Sequence, residues 1–281
     1  HQGGWIHTKY GEDWFIHFQD KGPYGRVCHL QPVDWSSGWP VIGNAGEPYW
    51  KFRKPKSDSK TIVNPVETDE FDSSKLGMQW QWQNDYKESY GQATSMGFFR
   101  LFTYALPELG DVSNLWYVPN MLLQKTPADE FTATTKLSFC SRNSDQYVGL
   151  VCMSAEYSSV GLQRTEDGYE LQIRHNPNAM RTHLTDEVLT VDTLKPTQKG
   201  TPRKGRPAEM HIKDVYLRMS IKDSKVNYAY SIDGKKWKKA GGEYAMGKGR
   251  WIGSKIGFFA VDPNKTGRKG FIDIDWFRIS R

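Results

Sequence analysis

The feature that most constrains the fold is a nearly unbroken succession of short strand-like segments from about Glu70 to Arg281. Segments such as FTATTKLSFC and KVNYAYSID alternate apolar and polar residues with a period of two, which is typical of half-buried strands. In SIDGKKW, the pair Asp233-Gly234 predicts a tight hairpin. No segment keeps a period of 3.6 residues beyond about one turn. We therefore predict that residues 69–281 form an all-β, two-sheet sandwich.

The first 43 residues predict a separate four-stranded sheet. GGWIHTKY and DWFIHFQD alternate and are joined by a short Gly-Glu turn, GRVCHLQPVDW follows as a third strand, and WPVIG is a short fourth. Four antiparallel strands in one meander are typical of a β-propeller blade. A single blade cannot stand alone, because its two faces must pack against neighbouring blades.

The segment between these two regions has a different composition. Residues 44–68 are rich in proline, lysine and serine and show little periodicity. The prolines argue against a helix. This composition predicts a linker or an extended strap between two domains.

Tryptophan is unusually frequent, with eleven residues in the chain. An indole ring can stack on the C–H face of a pyranose, so this excess suits a carbohydrate ligand. Trp80 and Trp82, in MQWQWQ, fall on one face of a predicted strand and could form a sugar-binding platform. The alternative is that they are a buried pair between the two sheets.

The net charge of +6 does not indicate a nucleic-acid partner. The stretch Lys195 to Pro207 carries five positive charges and no acid, but no aromatic residues are interleaved with them. Its glycine and prolines predict a solvated loop. No run reaches the roughly 18 apolar residues that cross a bilayer, so we expect no membrane partner. We also find no signal peptide, which predicts a processed chain or a fragment.

The three cysteines are not spaced as a metal or disulfide motif. Cys140 and Cys152 could lie on adjacent strands, but buried free thiols are expected for them. Cys28 belongs to the first sheet.

A pair of aspartates near the end of the chain allows three interpretations. Asp273 and Asp275 fall on one face of a strand, roughly 6.5–7 Å apart. They could be solvent-facing, or they could bind calcium with help from an acid such as Asp72. A catalytic role would need a third acid further along the strand, where the sequence has Trp276-Phe277-Arg278.

Taken together, these motifs resemble glycoside hydrolase family 43. The first 43 residues resemble the last blade of its five-bladed propeller. The remainder resembles the concanavalin A-like β-sandwich attached to many of these enzymes: FDSSKLGMQWQWQ looks like its entry, YSIDGKKW like a late hairpin, and WIGSKIGFFA followed by FIDIDWFRIS like its closing strands. The resemblance covers almost the whole chain.

The resemblance implies two binding roles in the blade. His1 matches a histidine near the propeller axis that approaches a central ion, often calcium, and Arg26, in GPYGRV, matches an arginine that binds the glycone sugar. A guanidinium group can hold two neighbouring sugar hydroxyls. The alternative expectation is that His1 is the disordered terminal residue of a cut chain and that Arg26 is a surface residue of a strand. In this family a loop of the sandwich often reaches over the substrate pocket of the propeller. No motif in this sequence identifies the residues of that loop.

The resemblance further implies that the catalytic carboxylates lie in earlier blades. Inverting hydrolysis needs a general acid and a general base roughly 6.5–9.5 Å apart. Glu12, Asp13, Asp20 and Asp34 match neither of them. We therefore assign no catalytic residue to this chain and expect it to be inactive alone.

The expected whole enzyme cleaves β-xylosidic or α-L-arabinofuranosidic bonds with inversion. Its expected partners are xylo- or arabino-oligosaccharides and the upstream blades, and its expected location is secreted or periplasmic. The alternative is a carbohydrate-binding or structural sandwich module with no catalysis of its own.

Overall fold

A computed structural model describes residues 2–61, 63–106, 114–180, 185–203, 205–249, 251–264 and 267–281. Over these ranges the protein consists of β-strands, three single-turn 3₁₀ helices and connecting segments, and no α-helix occurs in them. The predicted all-β class is confirmed. The 3₁₀ turns are Gly22–Tyr24, Glu88–Tyr90 and Leu115–Tyr117. None of the helices described could cross a membrane.

The N-terminal sheet is a four-stranded antiparallel meander. Its strands follow chain order: β1 (Gly3–His7), β2 (Asp13–Asp20), β3 (Arg26–Asp34) and β4 (Val41–Ile42). Ile6, Ile16 and Leu30 are exposed on one face, and Trp5 and Val27 on the other. Both faces of this sheet therefore present apolar surface to their surroundings.

Sixteen further strands form the rest of the protein: β5 (Gln81–Trp82), β6 (Gly91–Ala93), β7 (Phe99–Phe102), β8 (Tyr104–Ala105), β9 (Leu122–Lys125), β10 (Phe131–Ser141), β11 (Tyr147–Met153), β12 (Tyr157–Arg164), β13 (Tyr169–Asn176), β14 (Glu187–Leu194), β15 (Gln198–Lys199), β16 (Met210–Lys222), β17 (Lys225–Ser231), β18 (Lys238–Ala245), β19 (Lys255–Asp262) and β20 (Phe271–Ser280). Sheet I has the order β18-β17-β16-β10-β20-β7-β6, with β15 beside β16. Sheet II has the order β14-β13-β12-β11-β19-β9-β5, with β8 beside β19. All pairs are antiparallel except β8 with β19.

The two large sheets stack on one aromatic core. Trp80 lies between them, with ring centroids 5.9 Å from Phe258 of sheet II and 5.4 Å from Phe277 of sheet I. The two phenylalanine rings are themselves 5.5 Å apart. The predicted two-sheet sandwich is therefore confirmed, and its core joins residues from both inner faces.

The outer faces of the two sheets differ. In sheet II, the strands β11, β12 and β19 are buried almost without interruption. The cause is a second apolar cluster, in which Leu115, Val118 and Met121 pack over the outer face of this sheet. In sheet I, by contrast, β10 and β16 alternate between buried and partly exposed residues, as a strand does when one face meets solvent.

Two loop predictions can be compared with the structure. The hairpin at Asp233-Gly234 is present between β17 and β18, where Asp233 accepts hydrogen bonds from the N–H groups of Lys235 and Lys236, both at 2.8 Å. These N–H groups lower the pKa of Asp233 to about 2. The basic stretch from Lys195 is exposed along most of its length, although Gln198 and Lys199 pair with β16.

The strap, defined as residues 44–61 and 63–68, contains no strand or helix but is attached to the N-terminal sheet. Glu12, in the turn between β1 and β2, accepts a hydrogen bond from the Lys56 N–H at 2.8 Å and forms an ion pair with Arg53. Gln31 exchanges two hydrogen bonds with the backbone of Tyr49. The strap therefore contacts the sheet through both Glu12 and Gln31.

The Glu12 contact gives a pH-dependent prediction. The Lys56 N–H and, next, the Arg53 guanidinium lower the pKa of Glu12 below its ordinary value of 4.5. A carboxyl group with a lowered pKa stabilises the folded state above the unfolded-state pKa, and this contribution is lost as the pH falls through the folded-state pKa. We expect hydrogen exchange at peptides containing Lys56, corrected for intrinsic rates, to accelerate as the pH falls below 4.5, the ordinary pKa of this carboxyl group. In Glu12→Gln, which does not titrate, this pH step should disappear.

Candidate functional site

The N-terminal sheet meets the sandwich along a seam formed by residues 22–26 and 251–254. The Arg26 N–H donates to the Trp251 carbonyl at 3.0 Å, and the Ser254 N–H donates to the Pro23 carbonyl at 2.6 Å. The Tyr24 hydroxyl reaches further along the sandwich, where it donates to the Asp129 carbonyl at 3.1 Å. The seam thus fixes the start of β3 against one loop of the sandwich.

Arg26, the predicted sugar-binding residue, is exposed at this seam. Its guanidinium group lies 4.3 Å from the Phe18 ring centroid and 5.7 Å from that of Trp251. One nitrogen, Nη1, donates to Oε1 of the Gln2 side chain at 3.2 Å. A guanidinium group has five N–H donors, and among the residues that the structure describes only the Gln2 side chain accepts from one of them.

Trp251 is the residue that sequence reasoning missed. It belongs to the sandwich, is 58% exposed and has a φ of 67°, and its ring lies beside Arg26. The available signal was a tryptophan between Gly249 and Gly253, where strand periodicity is absent. An exposed indole beside an arginine offers an apolar face next to hydrogen-bond donors, which suits a sugar ring.

Trp80 does not belong to a sugar platform. Its side chain is only 8% exposed, and its Nε1–H donates to the Asp69 carboxylate at 2.7 Å. Because its ring faces are covered by Phe71, Phe258 and Phe277, no sugar can stack on it. The platform prediction is wrong for Trp80, and the alternative of a buried aromatic between the sheets describes it.

Trp82 lies at the margin of the same core. It is partly buried, and its ring centroid lies 5.6 Å from that of Tyr90, 6.2 Å from that of Phe99 and 5.9 Å from that of Tyr86. Tyr86 is 60% exposed, so this end of the aromatic cluster reaches solvent. A sugar contact at Trp82 stays a prediction.

The aspartates near the end of the chain are held by cations. Asp273 receives two hydrogen bonds from Arg100, at 2.6 and 2.8 Å, and Asp275 lies 2.9 Å from the Lys136 ammonium group. These pairings raise the pKa of Arg100 and of Lys136. Both aspartates line one cavity on the outer face of sheet I.

These residues do not fit a calcium site. Asp72 is exposed, and within the described ranges no group of three ligand atoms close enough for a shared ion includes Asp72, Asp273 or Asp275. Arg100 and Lys136 already occupy the two carboxylates, and a bound calcium ion would have to displace both cations. His1, the predicted residue near a central ion, lies outside the described residues.

The acidic residues of the N-terminal sheet have local structural partners. Asp13 accepts from the Trp5 indole at 2.8 Å, Asp20 from the Gly22 N–H at 2.9 Å, and Asp34 from the Ser36 N–H at 2.9 Å. The hydrogen bond with His7 and, less strongly, that from Trp5 lower the pKa of Asp13, and the Ser36 N–H lowers the pKa of Asp34. A general acid would instead need a raised pKa.

The cysteines are free thiols, of which Cys28 is exposed and Cys140 and Cys152 are buried. Cys140 and Cys152 do not lie on adjacent strands, since β10 belongs to sheet I and β11 to sheet II. Burial raises the pKa of both to about 12.

The stacked sheets define a concanavalin A-like sandwich. Comparison with known proteins shows the family to which this sandwich belongs. A family model described as the β-xylosidase C-terminal concanavalin A-like domain matches residues 68–280. The chain belongs to this family. This match confirms the resemblance to glycoside hydrolase family 43 that the motifs indicated.

Individual relatives extend the similarity into the N-terminal sheet. A β-xylosidase of Formosa agariphila is 27% identical over 98% of this chain, and a relative in Xylanibacter ruminicola is 30% identical over 92%. The crystal structure of the family 43 protein BlXynB of Bacillus licheniformis is 25% identical and superposes with a TM-score of 0.75 over 99% of this chain. The chain covers 47%, 44% and 52% of these proteins, and so spans about half their length.

Proposed function

We propose that this chain is the C-terminal part of an inverting glycoside hydrolase that cleaves β-xylosidic or α-L-arabinofuranosidic bonds in plant-type polysaccharides or their oligosaccharides. Membership of the β-xylosidase C-terminal domain family supports this proposal. The observation that carries it is the seam, where Arg26 of the N-terminal sheet and Trp251 of the sandwich lie side by side and exposed.

In this proposal the N-terminal sheet is one propeller blade, and its exposed apolar faces pack against blades upstream of this chain. Those blades supply the general acid and the general base. Inverting hydrolysis then proceeds by direct attack of a water molecule, for which the two carboxyl groups stand roughly 6.5–9.5 Å apart. The residues of this chain bind and orient the sugar and do not transfer a proton.

Arg26 would hold the glycone sugar through a forked pair of hydrogen bonds to neighbouring hydroxyls. Each such charge-assisted hydrogen bond contributes about 1.5–3 kcal/mol. Trp251 would cover an apolar face of the sugar and exclude water at the same seam. The sandwich therefore takes part in substrate recognition, in addition to bracing the blade.

The test uses the whole enzyme with Arg26→Ala and Arg26→Lys, assayed on aryl β-xyloside and aryl α-L-arabinofuranoside substrates. We expect Arg26→Ala to lower kcat/KM by about 10- to 100-fold, and Arg26→Lys to restore little of it because an ammonium group cannot form the forked contact. Arg206→Ala, at an exposed arginine of the loop between β15 and β16, is the matched control. An unchanged kcat/KM in Arg26→Ala would contradict the role of Arg26.

The competing function is a carbohydrate-binding module without a part in catalysis, for which the exposed end of the Trp82–Tyr86 pair is the available surface. Titration of this chain alone with xylo- and arabino-oligosaccharides separates the two functions. Binding that is lost in Trp82→Ala and kept in Arg26→Ala favours the module. We expect this chain alone to show no hydrolysis of either aryl glycoside.

A further inference from the structure

A cluster of three metal-ligating side chains lies on the open face of sheet I, away from the seam. Cys140 of β10 and His211 of β16 stand directly opposite each other in the antiparallel register. Glu209 lies just before β16. Opposite residues on paired strands point to the same face of a sheet, so the fold itself brings the thiol and the imidazole together.

The distances within the cluster suit one shared ion. The Cys140 Sγ and His211 Nε2 atoms are 3.5 Å apart, and all three ligand atoms lie within 4.8 Å of one another. Around a tetrahedral Zn²⁺ with Zn–S about 2.3 Å and Zn–N about 2.0 Å, the edge between sulfur and nitrogen is about 3.5 Å. The strand pairing therefore already holds two ligands at the spacing that zinc requires.

Glu209 completes the ligand set with a small adjustment. Its Oε1 atom is 2.8 Å from His211 Nε2, a hydrogen bond that an ion would replace. The matching oxygen–nitrogen edge in a zinc site is about 3.3 Å, so the side chain must withdraw by about 0.5 Å. Its other oxygen, Oε2, accepts from Arg142 Nε at 2.8 Å, which orients the carboxylate and leaves Oε1 for the ion.

The surroundings leave room for a fourth ligand. Cys140 and His211 line a cavity of about 280 Å³ that also borders Ser138 and Asp273. A water molecule has space there to complete a tetrahedron. Thiolate and imidazole ligands select zinc or another thiophilic ion over calcium or magnesium, which prefer oxygen ligands.

We propose that Cys140, Glu209 and His211 bind one thiophilic divalent ion, Zn²⁺ in the first instance, with water as the fourth ligand. The ion joins β10 to β16 and to the segment before β16, and it stabilises the folded sandwich because the unfolded chain does not hold the three ligands together. This site is independent of sugar binding at the seam.

The test uses the full 281-residue chain, freed of metal with a chelator and titrated with CoCl₂ and ZnCl₂. Coordination by Cys140 should produce a thiolate-to-cobalt charge-transfer band that saturates at about one equivalent. Zinc should displace cobalt and raise Tm by several degrees at about a hundredfold excess over its Kd. Glu209→Gln and His211→Gln should each weaken zinc binding by more than about tenfold.

Cys140→Ser should abolish the charge-transfer band, whereas Cys28→Ser, which removes the exposed thiol of the N-terminal sheet, should leave it intact. If Cys140→Ser does not fold, His211→Gln still decides the question, because this ring is partly exposed at the surface. Two results would overturn the proposal: absence of a charge-transfer band in the native chain, which would make the cluster a hydrogen-bonded one only, or a band that survives in Cys140→Ser.

Discussion

Replacing Trp80 by alanine is expected to lower the free energy of unfolding by about 3–5 kcal/mol. The indole ring joins the two sheets through Phe258 and Phe277 and stacks on Phe71 with a centroid distance of 5.7 Å. Its removal leaves a cavity between the sheets, and it also removes the donor to the Asp69 carboxylate. Urea unfolding followed by circular dichroism measures the loss.

Two further variants separate burial from the hydrogen bond. Trp80→Phe keeps most of the volume but removes the Nε1–H donor, so its cost should be about 1–3 kcal/mol. Trp39→Ala, at a tryptophan that is 74% exposed in the N-terminal sheet region, should change stability by less than about 0.5 kcal/mol. If Trp80→Ala kept the stability of the native chain but lost oligosaccharide binding, the assignment of Trp80 to the core would be wrong.

Replacing Gly253 by alanine is expected to open the seam and to cost roughly 2–5 kcal/mol. Gly253 has a φ of 76°, and a Cβ atom there would lie 2.5 Å from the Tyr24 carbonyl carbon and 2.6 Å from the Gly25 nitrogen. These neighbours are backbone atoms of the opposite side of the seam, so they cannot move aside without breaking the hydrogen bond between Ser254 and Pro23. In the whole enzyme, kcat/KM should fall as well, because Trp251 would move away from Arg26.

Gly38 supplies a matched control for this prediction. Its φ is also 76°, but a Cβ atom there would meet nothing within 4 Å. Gly38→Ala therefore carries the backbone penalty of about 1–2 kcal/mol without the steric one. The difference between the stability losses of the two variants, measured by urea unfolding, gives the cost of the steric contact at the seam. Equal losses of stability would mean that the seam tolerates a side chain.

The secondary-structure elements that depend only on residues close together in the sequence could be predicted from it. The meander of the first 43 residues, the turn at Asp233-Gly234 and most sandwich strands follow from period-two alternation and turn chemistry. The segment LWYVPNMLLQ is apolar enough to predict one strand, but only its end is extended, in β9 (Leu122–Lys125). The start is a 3₁₀ turn, because Asn114 accepts from the Trp116 N–H and Pro119 cannot donate to a ladder.

The site residues were harder to predict because their surroundings come from distant parts of the chain. Trp80 and Trp82 have the same alternation in sequence, yet only the first is buried between both sheets. The cation that holds Asp273 is Arg100, and the histidine opposite Cys140 is His211, in each case far away along the chain. These pairs form because of the order in which the strands lie in the sheet. The periodicity of one segment predicts a strand but not which strand lies beside it.

The strap that runs along the N-terminal sheet also changes how strong the seam must be. Because residues 44–68 keep the sheet covalently attached to the sandwich, closure of the seam is an intramolecular event. A short flexible connection of this kind gives an effective concentration in the millimolar range, and attachment of the strap through Glu12 and Gln31 shortens its free length further. The few hydrogen bonds at the seam therefore suffice to hold Arg26 beside Trp251, whereas two separate proteins with the same contacts would dissociate.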